Sequence, residues 1–231
     1  MPQVLVSKTA CPVACPSVAF QWRIQGPIHE FHKIAVRGTI ATIMKRKSII
    51  TIAGAIGSGK SSTAREVAAR LGYKHFSSGD LFRSIAAEQG LSIEALNLSA
   101  EEREDIDHRV DQLLQKMGRE EEHLVIDSRL AFHWMPDSFK VYLELDPDTA
   151  AKRIFNHIKN QGRVSQTAAS IEEVRENIDI RVESERKRYA NLYTIDVTDT
   201  SPFDLIIDTR VNALDEVVEL VIENYKLWRG K

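Results

Sequence analysis

Cysteine is almost missing from this sequence: of 231 residues only Cys11 and Cys15 carry a thiol, and both lie near the N-terminus. That excludes a disulfide framework and leaves no second pair to complete a zinc site. No run of about 18 apolar residues occurs, so nothing reads as a membrane-spanning helix. Neither sign of charge is in excess. The 31 Lys and Arg against 33 Asp and Glu leave a formal charge of -2, which lacks the broad basic footprint of a nucleic-acid binder. No internal repeat or low-complexity segment is visible. Acids are scarce in the first 43 positions, where Glu30 is the only one, set among Pro2, Pro12, Pro16 and Pro27. An acid-poor start can be an import signal, but no compact apolar core with a small-residue cleavage site is present. The expectation is an extension over 1–43, disordered or upstream of a true start at Met44, followed by one domain over 44–231. What is present in quantity, 43% hydrophobic and 28% charged residues, describes an ordinary globular chain with one core.

From Ser48 the elements follow from period and punctuation. Ser48 to Ala53 is a short β-rich apolar run that ends at Gly54. Ser61 to Leu71 carries helical spacing at Ala64, Val67, Ala68 and Leu71 and closes at Gly72. Lys74 to Ser77 reads as a strand, Asp80 to Gln89 as a helix ending at Gly90, and Ala100 to Met117 as a helix ending at Gly118. His123 to Ile126 and Phe139 to Leu143 are strands, Asp148 to Asn160 and Ile171 to Tyr193 are charged helices, Leu205 to Ile207 is a last strand, and Leu214 to Tyr225 is a closing amphipathic helix. Strands alternating with helices predict an α/β fold with a parallel sheet covered on both faces, and ligands at the carboxyl ends of the strands.

Gly54-Ala55-Ile56-Gly57-Ser58-Gly59-Lys60-Ser61 matches G-x-x-x-x-G-K-[ST], the phosphate-binding P-loop, and sits between a strand and a helix as the motif requires. A polyphosphate has to be wrapped by backbone N–H groups, and only residues without bulk let the chain curl that tightly. Lys60 is expected to bridge the β- and γ-phosphates of ATP and the Ser61 hydroxyl to ligate Mg²⁺, with Ser62 and the start of the helix beside them. No base-reading N-K-x-D pattern of switch proteins is apparent, and the domain is short for a motor. Transfer of phosphate to a small molecule is the simpler reading.

Transfer onto a phosphorylated acceptor sets two anions against each other and calls for several arginines. Arg83 lies one turn into the helix after Ser77-Ser78-Gly79-Asp80, where Ser78 or Asp80 is a candidate cap. Arg129 follows a strand and Asp127, at the edge where such sheets present ligands. Arg153 and Arg163 lie in a segment that reads as a lid, over about 153–181. Arg181, Glu185 and Arg188 fall at i, i+4 and i+7, on one helix face. Each of these arginines has a plainer alternative as a surface ion pair. Asp127 is placed to act on Mg²⁺ through water or to hold a ribose hydroxyl.

With these motifs in order, the chain resembles the cytidylate kinases, in particular the short archaeal-type branch of the nucleoside monophosphate kinases, from about Lys47 to about Tyr225. The resemblance rests on Ile49-Ile50-Thr51-Ile52 leading into the P-loop, Ser77-Ser78-Gly79-Asp80-Leu81-Phe82-Arg83, Val125-Ile126-Asp127-Ser128-Arg129-Leu130-Ala131, the stretch Arg181 to Tyr189, and Tyr193-Thr194-Ile195-Asp196. It implies a P-loop NTPase-type three-layer fold with a five-stranded parallel sheet and a helical lid. It also implies transfer from ATP, with Mg²⁺, to CMP or dCMP. By position, Ser78, Gly79, Asp80 and Arg83 would hold the monophosphate, within an acceptor region of about 78–118. Arg129 would reach its base or phosphate, and Arg181 and Glu185 would close over the acceptor. Arg153 would lie near the ATP base or phosphates. The sequence departs from the family pattern at Asp127-Ser128, where Glu-Gly is usual, and at Phe132-His133-Trp134. A cytoplasmic monomer acting on small nucleotides, without nucleic acid or membrane, completes the expectation. The alternatives are another small P-loop kinase (adenylate, shikimate or dephospho-coenzyme A) and a non-catalytic nucleotide sensor.

Overall fold

The computed structural model describes residues 22–24, 46–88, 90, 105–161 and 170–230. Five strands of the domain are Ile49–Gly54 (β2), Lys74–Ser77 (β3), Leu124–Asp127 (β4), Phe139–Glu144 (β5) and Leu205–Asp208 (β6). All pair in parallel, and a sixth strand, Trp22–Ile24 (β1), adds to the edge beside β6, giving the order β1-β6-β5-β2-β4-β3. The expected five-stranded parallel sheet is therefore present and carries one strand more, drawn from the segment ahead of the domain. The rest of that segment lies outside the described residues.

β2 runs between β4 and β5, and all six of its residues are buried. That is why it reads as an unbroken apolar run: a parallel strand covered on both faces has no solvent side to alternate with. Helices Lys60–Leu71 (α1) and Leu214–Arg229 (α7) cover one face, where Val67, Val217, Val218 and Val221 pack on Ile50, Ile52, Val141 and Leu143. Asp105–Glu120 (α3) covers the other through Leu114 and Met117, packed on Ile49, Leu124 and Ile126. Ser78–Glu88 (α2) and the short Ala131–Trp134 (α4) follow β3 and β4, while Pro147–Gln161 (α5) and Ile171–Tyr193 (α6) pack on each other through Ala151, Val174 and Ile178. The intervening residues 162–169, with Arg163, lie outside the described set, as do 91–104 of the expected acceptor region.

Two readings of punctuation need correction. Gly118 does not end α3, which continues to Glu120. A Cβ at that position would come within 2.8 Å of Met135 Cγ, so the glycine serves close packing against the residue after α4. Neither Ser78 nor Asp80 caps α2. The helix starts at Ser78, and Ser77 Oγ accepts from the Asp80 backbone N–H at 3.2 Å, the hydrogen bond of an N-cap.

Candidate active site

β2, β3 and β4 end side by side, and their carboxyl ends aim three short segments into one cleft: the P-loop after β2, the start of α2 after β3, and Asp127-Ser128-Arg129 after β4. The P-loop keeps the shape its glycines permit. Gly54 has φ 145°, and a Cβ there would lie 2.3 Å from the Leu143 carbonyl oxygen of the adjacent strand. Gly59 has φ 87° and open space around it, so its demand is conformational.

Lys60 Nζ donates to the carbonyls of Gly54 at 3.1 Å and Ala55 at 2.6 Å. Withdrawal from water, and then the nearby Arg129 guanidinium, pull its ammonium down to about 7. An incoming polyphosphate supplies negative charge and favours the protonated form again. Binding of ATP at pH 8 should therefore take up about one proton at this lysine, an uptake that fades as the pH falls below 7 and the free group is already charged. Calorimetric titration at pH 8 in buffers of different ionisation enthalpy reads this directly, and Lys60→Ala should abolish it.

A chain of hydroxyls and a carboxylate joins the two ends of the cleft. Ser61 Oγ donates to Asp127 Oδ2, and Ser77 Oγ donates to the same oxygen at 3.1 Å while capping α2. Asp127 thus fixes the starts of α1 and α2 relative to each other, with both helix N-termini directed at the cleft, as anions require. Ser78 Oγ donates to the Asp127 carbonyl at 3.4 Å. Ser128 stands where the family pattern has glycine, but its φ is not positive, so its conformation needs no glycine.

Arg129, Arg181 and Glu185 are brought together. Arg129 Nε lies 2.5 Å from Glu185 Oε2, and Arg181 Nε lies 2.9 Å from Oε1. Burial works to raise the Glu185 carboxyl, yet the two guanidiniums outweigh it and hold the group below the ordinary carboxylate range. Arg129 also reaches the Gly54 carbonyl at 3.4 Å, linking this cluster to the P-loop. Arg83 is exposed at the cleft mouth and pairs with Asp80. Arg153 is not in the cleft: it donates to the Thr209 carbonyl at 2.6 Å, just past the end of β6.

The cleft has a second wall, within the expected acceptor region and along the face of Arg181 and Glu185, and apart from Arg188 the side chains it adds were not singled out by sequence reasoning. α3 contributes Asp107, Val110, Asp111 and Leu114 to it, and α6 continues past Glu185 to Arg188 and Tyr189. Asp107 and Asp111 are each 5% exposed. Asp107 Oδ2 faces Arg188 Nε at 2.9 Å. Asp111 accepts from Trp134 Nε1 at 2.9 Å and from the Tyr193 hydroxyl. Burial pushes the Asp107 carboxyl up to about 6 despite the pull of Arg188, and it raises Asp111 despite hydrogen bonds from Tyr193 and Trp134. The available signal was spacing: two acids on the same helical face as Val110, Leu114 and Met117 belong to a buried surface.

Among the described residues no group of three or more His, Cys, Asp or Glu side chains forms a metal cluster. No helix there is long and apolar enough to cross a membrane.

Known proteins match the chain in sequence and in fold. The family model described as an AAA domain matches residues 50–182. The cytidylate kinase of Archaeoglobus fulgidus is 34% identical over 75% of this chain and 92% of its own length. Those of Haloquadratum walsbyi and Methanothermobacter thermautotrophicus are 35% and 37% identical over 77% and 70% of this chain, and 91% and 94% of their own. Among solved structures, a gluconokinase from Sinorhizobium meliloti superposes with a TM-score of 0.52 at 14% identity, covering 80% of this chain and 95% of its own. A shikimate kinase from Bacteroides thetaiotaomicron gives 0.51 at 16%, covering 78% and 97%. These two share the fold alone. At the level of sequence, the chain belongs to the cytidylate kinase family.

Proposed function

We propose that the protein transfers the γ-phosphoryl group of ATP to CMP or dCMP, giving ADP and CDP or dCDP. The observation that carries this reading is one cleft with cationic groups at two places: Lys60 and the P-loop on the triphosphate side, and Arg83, Arg129 and Arg181 on the acceptor side. A sensor that only binds ATP needs no second set of arginines.

The Ser61 hydroxyl and the Asp127 carboxylate suit Mg²⁺, a hard cation that takes oxygen ligands and is commonly held by one or two protein oxygens with phosphates and water. Bound there with ATP, it would neutralise charge on the phosphates. Lys60 leaves the loop carbonyls for the β- and γ-phosphates, and the P-loop amides wrap the chain of phosphates. Arg129 and Arg181 lie close enough to Glu185 to hold it now and close enough to Lys60 to influence its charge. They are suited to exchange the carboxylate for phosphate oxygens when the nucleotides arrive. The acceptor is a phosphate oxygen already ionised at neutral pH, so no general base is needed. Positioning and charge neutralisation supply the rate. Closure of the α5–α6 region would exclude water, which otherwise competes as acceptor.

Turnover with a panel of acceptors, followed as ADP release, tests the reading. CMP and dCMP are expected to turn over, and strong turnover with AMP or shikimate but none with CMP or dCMP would overturn it. Arg83→Ala should raise the KM for CMP by about tenfold or more, as expected for loss of a charged hydrogen bond, and leave ATP affinity intact. Equal loss of ATP binding would refute the division into two subsites.

A further inference from the structure

β5 departs from the rule that β2 obeys. It is an inner strand, between β2 and β6, yet only Phe139, Val141 and Leu143 are buried, and its other face carries Lys140, Tyr142 and Glu144, each half-buried. A parallel strand inside a sheet is ordinarily covered on both sides. The cover is incomplete here because a cavity of about 350 Å³ is lined by Tyr142 and Glu144, against about 220 Å³ for the nucleotide cleft. α6 contributes Ile178 and Val182 to this cavity, and the loop ahead of β6 contributes Val197 and Phe203. Ile56, Arg129 and Glu185 line both spaces and so form the partition between them. The phosphate-transfer chemistry uses only the cleft side.

The lining combines two kinds of surface. Phe132, Tyr142 and Phe203 form an aromatic cluster, with ring centres 4.7 Å apart for Phe132 and Phe203 and 5.1 Å apart for Tyr142 and Phe203. The charged groups are the carboxylates of Glu144, Glu185 and Asp199 and one guanidinium, Arg129, which already lies 2.5 Å from Glu185. Glu144 stands two residues after Tyr142, on the same face of the strand, and burial together with its charge raises the Tyr142 hydroxyl against the pull of Arg129. A phosphate or nucleotide would meet an excess of negative charge here. A neutral apolar body would fill the space but strip water from the carboxylates without replacing it. We infer that this cavity is a second binding site, which takes a small organic cation with a flat apolar body, an aryl amine or amidine, with its ring on the aromatic cluster and its charged group toward Glu144. The carboxylate supplies charge-assisted hydrogen bonds, and the negative faces of the aromatic rings attract a cation. The volume is in the range of pockets that enclose small molecules.

Benzamidine and benzoate share a flat ring and differ in the sign of their charge, so the pair tests the site. Each is titrated calorimetrically at pH 7 into the natural protein saturated with CMP and a nonhydrolysable ATP analogue. One benzamidine should bind per chain, with benzoate weaker by at least about tenfold, the size expected when a charged hydrogen bond is lost. Glu144→Gln should weaken benzamidine by a similar factor. Val197→Trp, which places an indole in the cavity, should abolish its binding, and both variants should still turn over the nucleotides. No benzamidine binding, equal binding of benzoate, or full affinity in Glu144→Gln would overturn the inference. So would binding that disappears when the nucleotides are added, since that places the amidine in the cleft. If Val197→Trp does not fold, the other comparisons still decide. Absence of CMP turnover would overturn the proposed function and leave the benzamidine result as it stands.

Discussion

Lys60→Ala is expected to lower kcat by about 10³-fold or more, the range seen when a charge aimed at a transferring phosphoryl group is removed. Stability should move differently. Lys60 in the free protein holds an ammonium pulled down to about 7, chiefly by burial, and its donors are spent on two loop carbonyls. Deleting a cation held at such a cost should leave the melting temperature unchanged or raise it, as expected where a functional group is kept in a setting unfavourable to it. A variant that is inactive because it is unfolded would contradict this. Circular dichroism melting beside single-turnover transfer separates the two outcomes.

Arg129→Ala should lower kcat by about 10² to 10³, because this side chain lies between the P-loop and the acceptor wall and can face charge on either phosphate. It should also destabilise the protein, unlike Lys60→Ala. Glu185 is 5% exposed and would keep only Arg181. Loss of one partner from a buried pair costs about 3 to 5 kcal/mol, and the lower end applies here because Arg129 is 22% exposed and Arg181 remains. The acid side of the stability curve should change with it. Glu185 sits below its ordinary range in the folded state, so it contributes stability above its unfolded pKa that is lost as the pH falls through the folded value. Without Arg129 the burial effect meets less opposition, the folded value rises, and this contribution should shrink. Thermal unfolding of both proteins between pH 4 and 8 reads that difference, and identical profiles would contradict it.

Much of the fold was legible because its signals are local. A parallel strand buried on both faces leaves an apolar run such as Ile49–Gly54, and the P-loop states its chemistry in eight consecutive residues. Helix α6 was read with both ends correct, and the structure adds the Ser170 cap, whose side chain accepts from the Glu173 N–H. What escaped depends on contacts distant in sequence. Gly118 looks like a helix stop, and only the packing of Met135 shows why a side chain is refused in mid-helix. Ser77 looks like the last residue of a strand, yet its hydroxyl both caps α2 and holds Asp127. The acids of α3 had no role legible in the sequence, because their partners Arg188, Trp134 and Tyr193 come from α4 and α6. Arg153 was grouped with the phosphate-binding arginines by its place in the lid, but its fork is taken by Thr209. The strand Trp22–Ile24 had no periodicity to announce it, being three residues long and paired only at the sheet edge.

Transfer of label from ATP carrying a radioactive γ-phosphoryl group to CMP, with the products separated by chromatography, tests the central claim most directly. The account predicts label in CDP at a rate that depends on Lys60. Label released only as inorganic phosphate, or moved to AMP but never to CMP or dCMP, would contradict it.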